Sequence, residues 1–132
     1  MQEEQLAVIP YNPLAGGLLS GKYRRDETPV TGRFSAELGK FGAVYKARYW
    51  DQRQFETIGN LQAIISETGE PMTKLAVAWI LANPAITSVI LGASRSEQLT
   101  DTLAAADYRL DSELKAMLDD LTADYRQGDA AT

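Results

Sequence analysis

The chain has no cysteine and no histidine among its 132 residues. Lacking cysteine, it can form no disulfide and carries no thiol nucleophile or thiolate metal site. The missing histidine removes the usual general base, most transition-metal chemistry and any Ser-His-Asp triad. No apolar run reaches membrane length, so no membrane partner is expected. The start, Met1-Gln2-Glu3-Glu4, is acidic and lacks an apolar signal region, which makes the cytoplasm the expected compartment. A formal net charge of −5 argues against a nucleic-acid partner.

What is present is globular in character. Hydrophobic residues make up 45% and charged residues 23%, enough for one domain with a core. Against the acidic total, Lys22, Arg24, Arg25 and Arg33 cluster in one early segment. A local basic patch suits a small anionic ligand better than a polymer. A merely solvated loop accounts for it as well.

The organising stretch is residues 6–23, LAVIPYNPLAGGLLSGKY. Leu6-Ala7-Val8-Ile9 is an apolar run of the kind that forms a strand buried on both faces. Pro10 cannot donate to a ladder, so the strand is expected to end there. Tyr11 and Asn12 stand at its exit, followed by a loop with Gly16, Gly17, Gly21 and Lys22. Glycines let backbone N–H groups approach an anion and a lysine can neutralise it. An ordinary strand and flexible turn would have the same spacing.

Residues 24–46 read as an irregular loop, broken by Pro29, Gly32, Gly39 and Gly42. It is longer than a routine connection and has the length of a binding loop or lid, with Arg33 and Phe34 as its ligand contacts; a mobile loop accounts for most of its residues as well. Residues 47–68 read as a helix with the stripe Phe55, Ile58, Leu61 and Ile65, stopped by Gly69. Residues 72–82 form an apolar helix after Pro71, with Trp79 as a packing residue. Residues 86–91, ITSVIL, are the second strand. Ser94 reads as the N-cap of the next helix, with Glu97 at capping-box spacing and Leu99, Leu103 and Ala106 on its inner face. Asp111 caps a last helix with the stripe Leu114, Met117, Leu118 and Leu121. The tail, residues 127–132, reads as frayed.

Two parallel strands with several helices make an α/β chain that is mostly helical. Two strands cannot close a sheet, and nothing upstream of residue 6 supplies a neighbour. The expectation is therefore a single partial domain over residues 1–132 that begins mid-fold and tends to self-associate.

The stretch at 6–23, with TSVILGASRSEQL at 87–99, resembles the aldo/keto reductase family. The resemblance covers nearly the whole chain but only the C-terminal part of the family's (β/α)8 TIM barrel, from its seventh strand onward. It implies a nicotinamide dinucleotide, usually NADP rather than NAD, held by the loops after the seventh and eighth strands, where such barrels commonly bind phosphate. By this resemblance Tyr11 stacks on the nicotinamide, with Asn12 beside it where serine is common. Leu14, Gly16, Gly21 and Lys22 run beneath the pyrophosphate. Gly92, Ser94, Arg95 and Gln98 hold the adenosine end and its 2′-phosphate. Asp101-Thr102 depart from the family's Glu-Asn, one methylene shorter and without the amide.

The family's catalytic Asp, Tyr, Lys and His lie before this stretch, and no residue here matches any of them. The resemblance thus implies the cofactor-binding segment of an NADPH-dependent reductase of aldehydes or ketones, with the N-terminal half of the barrel as its missing partner. The alternative is a non-enzymatic dinucleotide-binding or interaction module.

Overall fold

The computed structural model describes residue 4 and residues 6–126. The expected frayed tail, residues 127–132, lies outside the described residues.

Among the described residues there are six α-helices: α1 (Lys40–Tyr49), α2 (Gln52–Ser66), α3 (Met72–Leu81), α4 (Thr100–Ala104), α5 (Ser112–Leu121) and α6 (Ala123–Arg126). Short 3-10 turns stand at Ala15–Ser20, Ala36–Leu38, Ser96–Leu99 and Ala105–Asp107. Local signals explain most of the boundaries. The Asp51 carboxylate accepts from the Gln54 N–H at 2.9 Å and starts α2. Asp111 does the same for α5, accepting from Glu113 and Leu114. Gly69, at φ 70°, takes the left-handed turn that leads away from α2.

The core follows the apolar stripes. Ile58, Leu61 and Ile65 of α2, Met72 and Leu75 of α3 and Leu118 of α5 bury together with Leu18 and Phe34. Val77 and Ala78 on the other face of α3 pack against Ala105. An apolar helix covered on two sides needs such a pair of clusters. Trp79 is the packing residue expected of it. Its ring joins the larger cluster and its indole N–H donates to Asp119 Oδ1 at 2.8 Å.

Three expectations are corrected. The irregular loop is shorter than residues 24–46, because Lys40–Tyr49 is helical. The helix expected over 47–68 is therefore two helices, divided at Trp50 and Asp51. The division occurs because the Asp51 side chain caps a new N-terminus there. Phe34 is not a ligand contact: it is 0% exposed and lies at the centre of the core.

The two expected strands are extended segments, not regular strands. Among the described residues their pairing is one parallel bridge, Tyr11 with Ile90. The Thr87 N–H donates to the Val8 carbonyl and the Ile90 N–H to the Pro10 carbonyl, both at 2.9 Å. Pro10 does not end the pairing, since it presents its carbonyl to the partner and needs no N–H there. The Val8 N–H is taken by the Thr87 hydroxyl, not by a backbone carbonyl. With one neighbour each instead of two, the segments keep Leu6, Ile9 and Ile90 exposed. Leu103, expected on an inner face, is also 58% exposed, and the buried side of its helix carries Thr102 and Ala105.

Candidate functional site

The parallel bridge determines where the two candidate loops begin. Tyr11 leads into the loop at 12–21 and Ile90 into the loop at 92–95, so both leave the paired segments in one direction. The Tyr11 ring at this exit is 74% exposed.

The first loop is built on left-handed turns. Asn12 (φ 59°), Ala15 (φ 49°), Gly16 and Gly17 all have positive φ. Side chains rarely accept this region, and asparagine is among those that do because its amide can bond locally. Here the Asn12 Oδ1 accepts from the Gly16 N–H at 2.8 Å, and its Nδ2 donates to the Tyr49 hydroxyl at 3.1 Å. Gly16 is buried under α1, where a Cβ would stand 2.8 Å from the Tyr45 ring. Gly21 (φ 72°) closes the loop, and the Gln62 amide donates to its carbonyl.

The cations lie around this loop on the surface. Lys22 places its ammonium 4.9 Å from the centre of the Tyr23 ring. Beside it opens a cavity of about 270 Å3, lined by Lys22, Tyr23, Arg24, Glu27, Thr28 and Thr31 among others. Arg24 pairs with Glu27 at 3.8 Å, and Arg25 donates to the Gln52 side chain. Arg33 donates to the Tyr45 hydroxyl and stacks on its ring. Its guanidinium also comes within 4.0 Å of where a side chain at Gly92 would begin. The lid thus brings Arg33 to the second loop.

The second loop is capped differently from the expectation. Ser94 is not the N-cap, since the helical segment starts at Ser96. The Gln98 side-chain oxygen accepts from the Ser94 N–H at 2.9 Å, the Ser94 hydroxyl at 3.2 Å and the Arg95 N–H at 3.4 Å. Glu97 takes no part in a capping box and accepts from the Ser96 hydroxyl. The first turn is 3-10 and four residues long, so this loop does not lead directly into the N-terminus of a regular α-helix. Asp101 is exposed in the first turn of α4. Thr102 is buried, its hydroxyl donating to the Leu99 carbonyl.

The structure therefore gathers Tyr11, Asn12, Leu14, Gly16, Arg33 and Gly92 at one end of the paired segments. Gly21 and Lys22 follow at the far side of the first loop. Ser94, Arg95 and Gln98 form a separate knot, with Asp101 on the next turn. Sequence reasoning missed Tyr45 and Tyr49. Their spacing of one helical turn is the signal that was available, hidden by reading 24–46 as a loop.

The sequence model of the Aldo/keto reductase family matches residues 1–123. The chain belongs to the aldo/keto reductase family. An uncharacterized oxidoreductase of Bacillus subtilis, YrpG, is 37% identical over 116 residues, covering 88% of this chain and 32% of that protein. The human aflatoxin B1 aldehyde reductase member 4 is 37% identical over 77% of this chain and 34% of its own length. A probable voltage-gated potassium channel subunit beta of Oryza sativa subsp. japonica is 34% identical over 77% of this chain and 30% of its own length. The chain thus spans about a third of the length of these relatives. The family implies a TIM barrel and a nicotinamide dinucleotide. Among the described residues no helix is long and apolar enough to cross a membrane.

The residues present fit such a cofactor in part. Tyr11 offers an open ring face, and Lys22, Arg33 and Arg95 are exposed cations near glycine-containing turns. The N–H groups of Ser94 and Arg95 and the Ser94 hydroxyl are all engaged by Gln98, which leaves the exposed Arg95 guanidinium as the group at that loop able to pair with an anion.

Proposed function

We propose that this chain is the cofactor-binding end of an NADPH-dependent carbonyl reductase, completed by a barrel half that precedes it in the family. The observation that carries the reading is the Tyr11–Ile90 bridge, which starts both loops at one edge. When bound, the nicotinamide supplies a hydride. Tyr11 stacks against its ring, and Asn12 holds the turn beside it. Leu14, Gly16, Gly21 and Lys22 line the pyrophosphate, with Arg33 reaching it from the lid. Gly92, Ser94, Arg95, Gln98 and Asp101 receive the adenosine end, and Arg95 favours NADP over NAD.

Among the described residues no tyrosine other than the stacking Tyr11 stands free to act as the acid for the forming alkoxide, which hydride transfer to a carbonyl requires. Tyr23, Tyr45 and Tyr49 surround Phe34 in the aromatic cluster. Tyr108 lies under the Lys74 ammonium, and the Tyr125 hydroxyl meets Thr57. The acid therefore comes from the preceding half, which also covers Leu6, Ile9 and Ile90. Without that half these residues drive self-association.

The test is NADPH oxidation with a reactive aldehyde, followed by absorbance. The expected result is no turnover by the chain alone and turnover once the N-terminal half of a family barrel is supplied. Turnover by the chain alone, above a denatured control, contradicts the proposal.

A second reading, a dinucleotide-binding interaction module without turnover, is favoured by the relative named as a potassium channel subunit beta. It predicts cofactor binding without aldehyde reduction even in the completed barrel.

A further inference from the structure

We propose that Tyr49 is a positioning residue for the first glycine loop, acting through Asn12. The proposal rests on the reading of that loop as part of a dinucleotide site.

The Asn12 backbone sits at φ 59°, a conformation unfavourable for a residue with a Cβ. The side-chain amide compensates by reaching in two directions. Its oxygen accepts the buried Gly16 N–H at 2.8 Å, and its nitrogen donates to the Tyr49 hydroxyl at 3.1 Å. An asparagine amide turns readily about its last torsion. The Gly16 N–H, a donor only, selects Oδ1 as the atom that faces it, and the Tyr49 hydroxyl anchors the other end of the amide so that the torsion is held there. Without it the amide is free to rotate and leave the Gly16 N–H without its acceptor.

Tyr49 is itself held in place. It stands one turn after Tyr45 on α1, with ring centroids 6.1 Å apart, and packs edge-on against the buried Phe34. Tyr45 covers Gly16 from the same helix face. The two tyrosines thus clamp one loop, Tyr45 by contact and Tyr49 by a hydrogen bond. Removing the Tyr49 hydroxyl leaves the ring packing intact and releases only the bond.

The experiment is a double-mutant cycle on the full chain, read by amide NMR. Tyr49→Phe removes the hydroxyl. Asn12→Gly removes the amide without backbone strain, since glycine accepts positive φ. The first readout is hydrogen exchange at the Gly16 amide. The second is the Kd for NADPH from shifts on titration. Tyr49→Phe is expected to speed Gly16 exchange and raise the Kd by about threefold to tenfold, the range of one neutral hydrogen bond. In the Asn12→Gly background the same change is expected to do neither. An equal effect of Tyr49→Phe in both backgrounds, or none in either, overturns the proposal. If the unmodified chain shows no NADPH shifts, the cofactor reading fails. The exchange cycle then still decides whether Tyr49 holds Gly16 through Asn12.

Discussion

Phe34 meets Tyr23 edge to face, with ring centroids 5.0 Å apart and planes at 80°. Trp50 lies 5.1 Å away on another side, and Tyr45 and Tyr49 complete the enclosure. One fully buried ring thereby fastens the lid to the first loop and to α1. Truncating such a ring leaves a cavity that costs about 3–5 kcal/mol. Phe34→Ala is expected to lose that much in denaturant unfolding and to raise hydrogen exchange across residues 24–39. A loss below about 1 kcal/mol would mean the lid is not anchored here.

Two glycines should respond to alanine with opposite signs. Gly16 combines φ 71° with a Cβ position 2.8 Å from the Tyr45 ring. Gly16→Ala is expected to cost at least the roughly 1–2 kcal/mol of left-handed backbone strain. Gly59 lies inside α2, exposed, with nothing within 4 Å of its Cβ position. Gly59→Ala is expected to stabilise by about 0.5–1 kcal/mol through helix propensity. Thermal melts of the two variants check both.

At the second loop, Gln98 carries the local order that Ser94 was expected to carry. Gln98→Ala releases two backbone N–H groups and one hydroxyl, and should destabilise by about 0.5–1.5 kcal/mol. Ser94→Ala removes one exposed side-chain donor and should cost less. A reversed order in melting temperature would restore Ser94 as the cap.

Arg95 is expected to discriminate the two dinucleotides. A charge-assisted bond to a 2′-phosphate is worth about 1.5–3 kcal/mol, or tenfold and more in affinity. Arg95→Ala should weaken NADPH binding by that factor and leave NADH nearly unchanged. Equal losses for the two would show that Arg95 does not read the 2′-phosphate.

The helical core was legible because its signals are local. Asp51, though not singled out, and Asp111 are both ordinary caps, and the Ile58, Leu61 and Ile65 stripe buries as its periodicity requires. Of the two expected parallel strands, the described residues show one parallel bridge, Tyr11 with Ile90. Strand order depends on neighbours that two segments cannot supply, so Ile9 and Ile90 stay exposed despite their apolar runs. Phe34 and α1 were misread for one reason. Gly39 and Gly42 suggested a loop, yet Gly39 (φ 51°) only opens α1 and Gly42 lies inside it, packed on the Ser35 carbonyl. The Gln98 amide, at the N3 position of a capping box that starts at Arg95, displaced Ser94 from the cap, a spacing hidden by pairing Ser94 with Glu97. The contacts of Tyr45 and Tyr49 with the first loop were hidden because they depend on a helix that was not foreseen.

The central claim is that one dinucleotide spans the loops after Tyr11 and after Ile90. Titration of the chain with NADPH, followed by backbone amide shifts, tests it most directly. The account predicts shifts at Tyr11, Gly16, Gly21 and Lys22 together with Gly92, Ser94 and Arg95, all saturating with one Kd. Shifts confined to one loop, two different Kd values, or no shifts at saturating concentrations would contradict it.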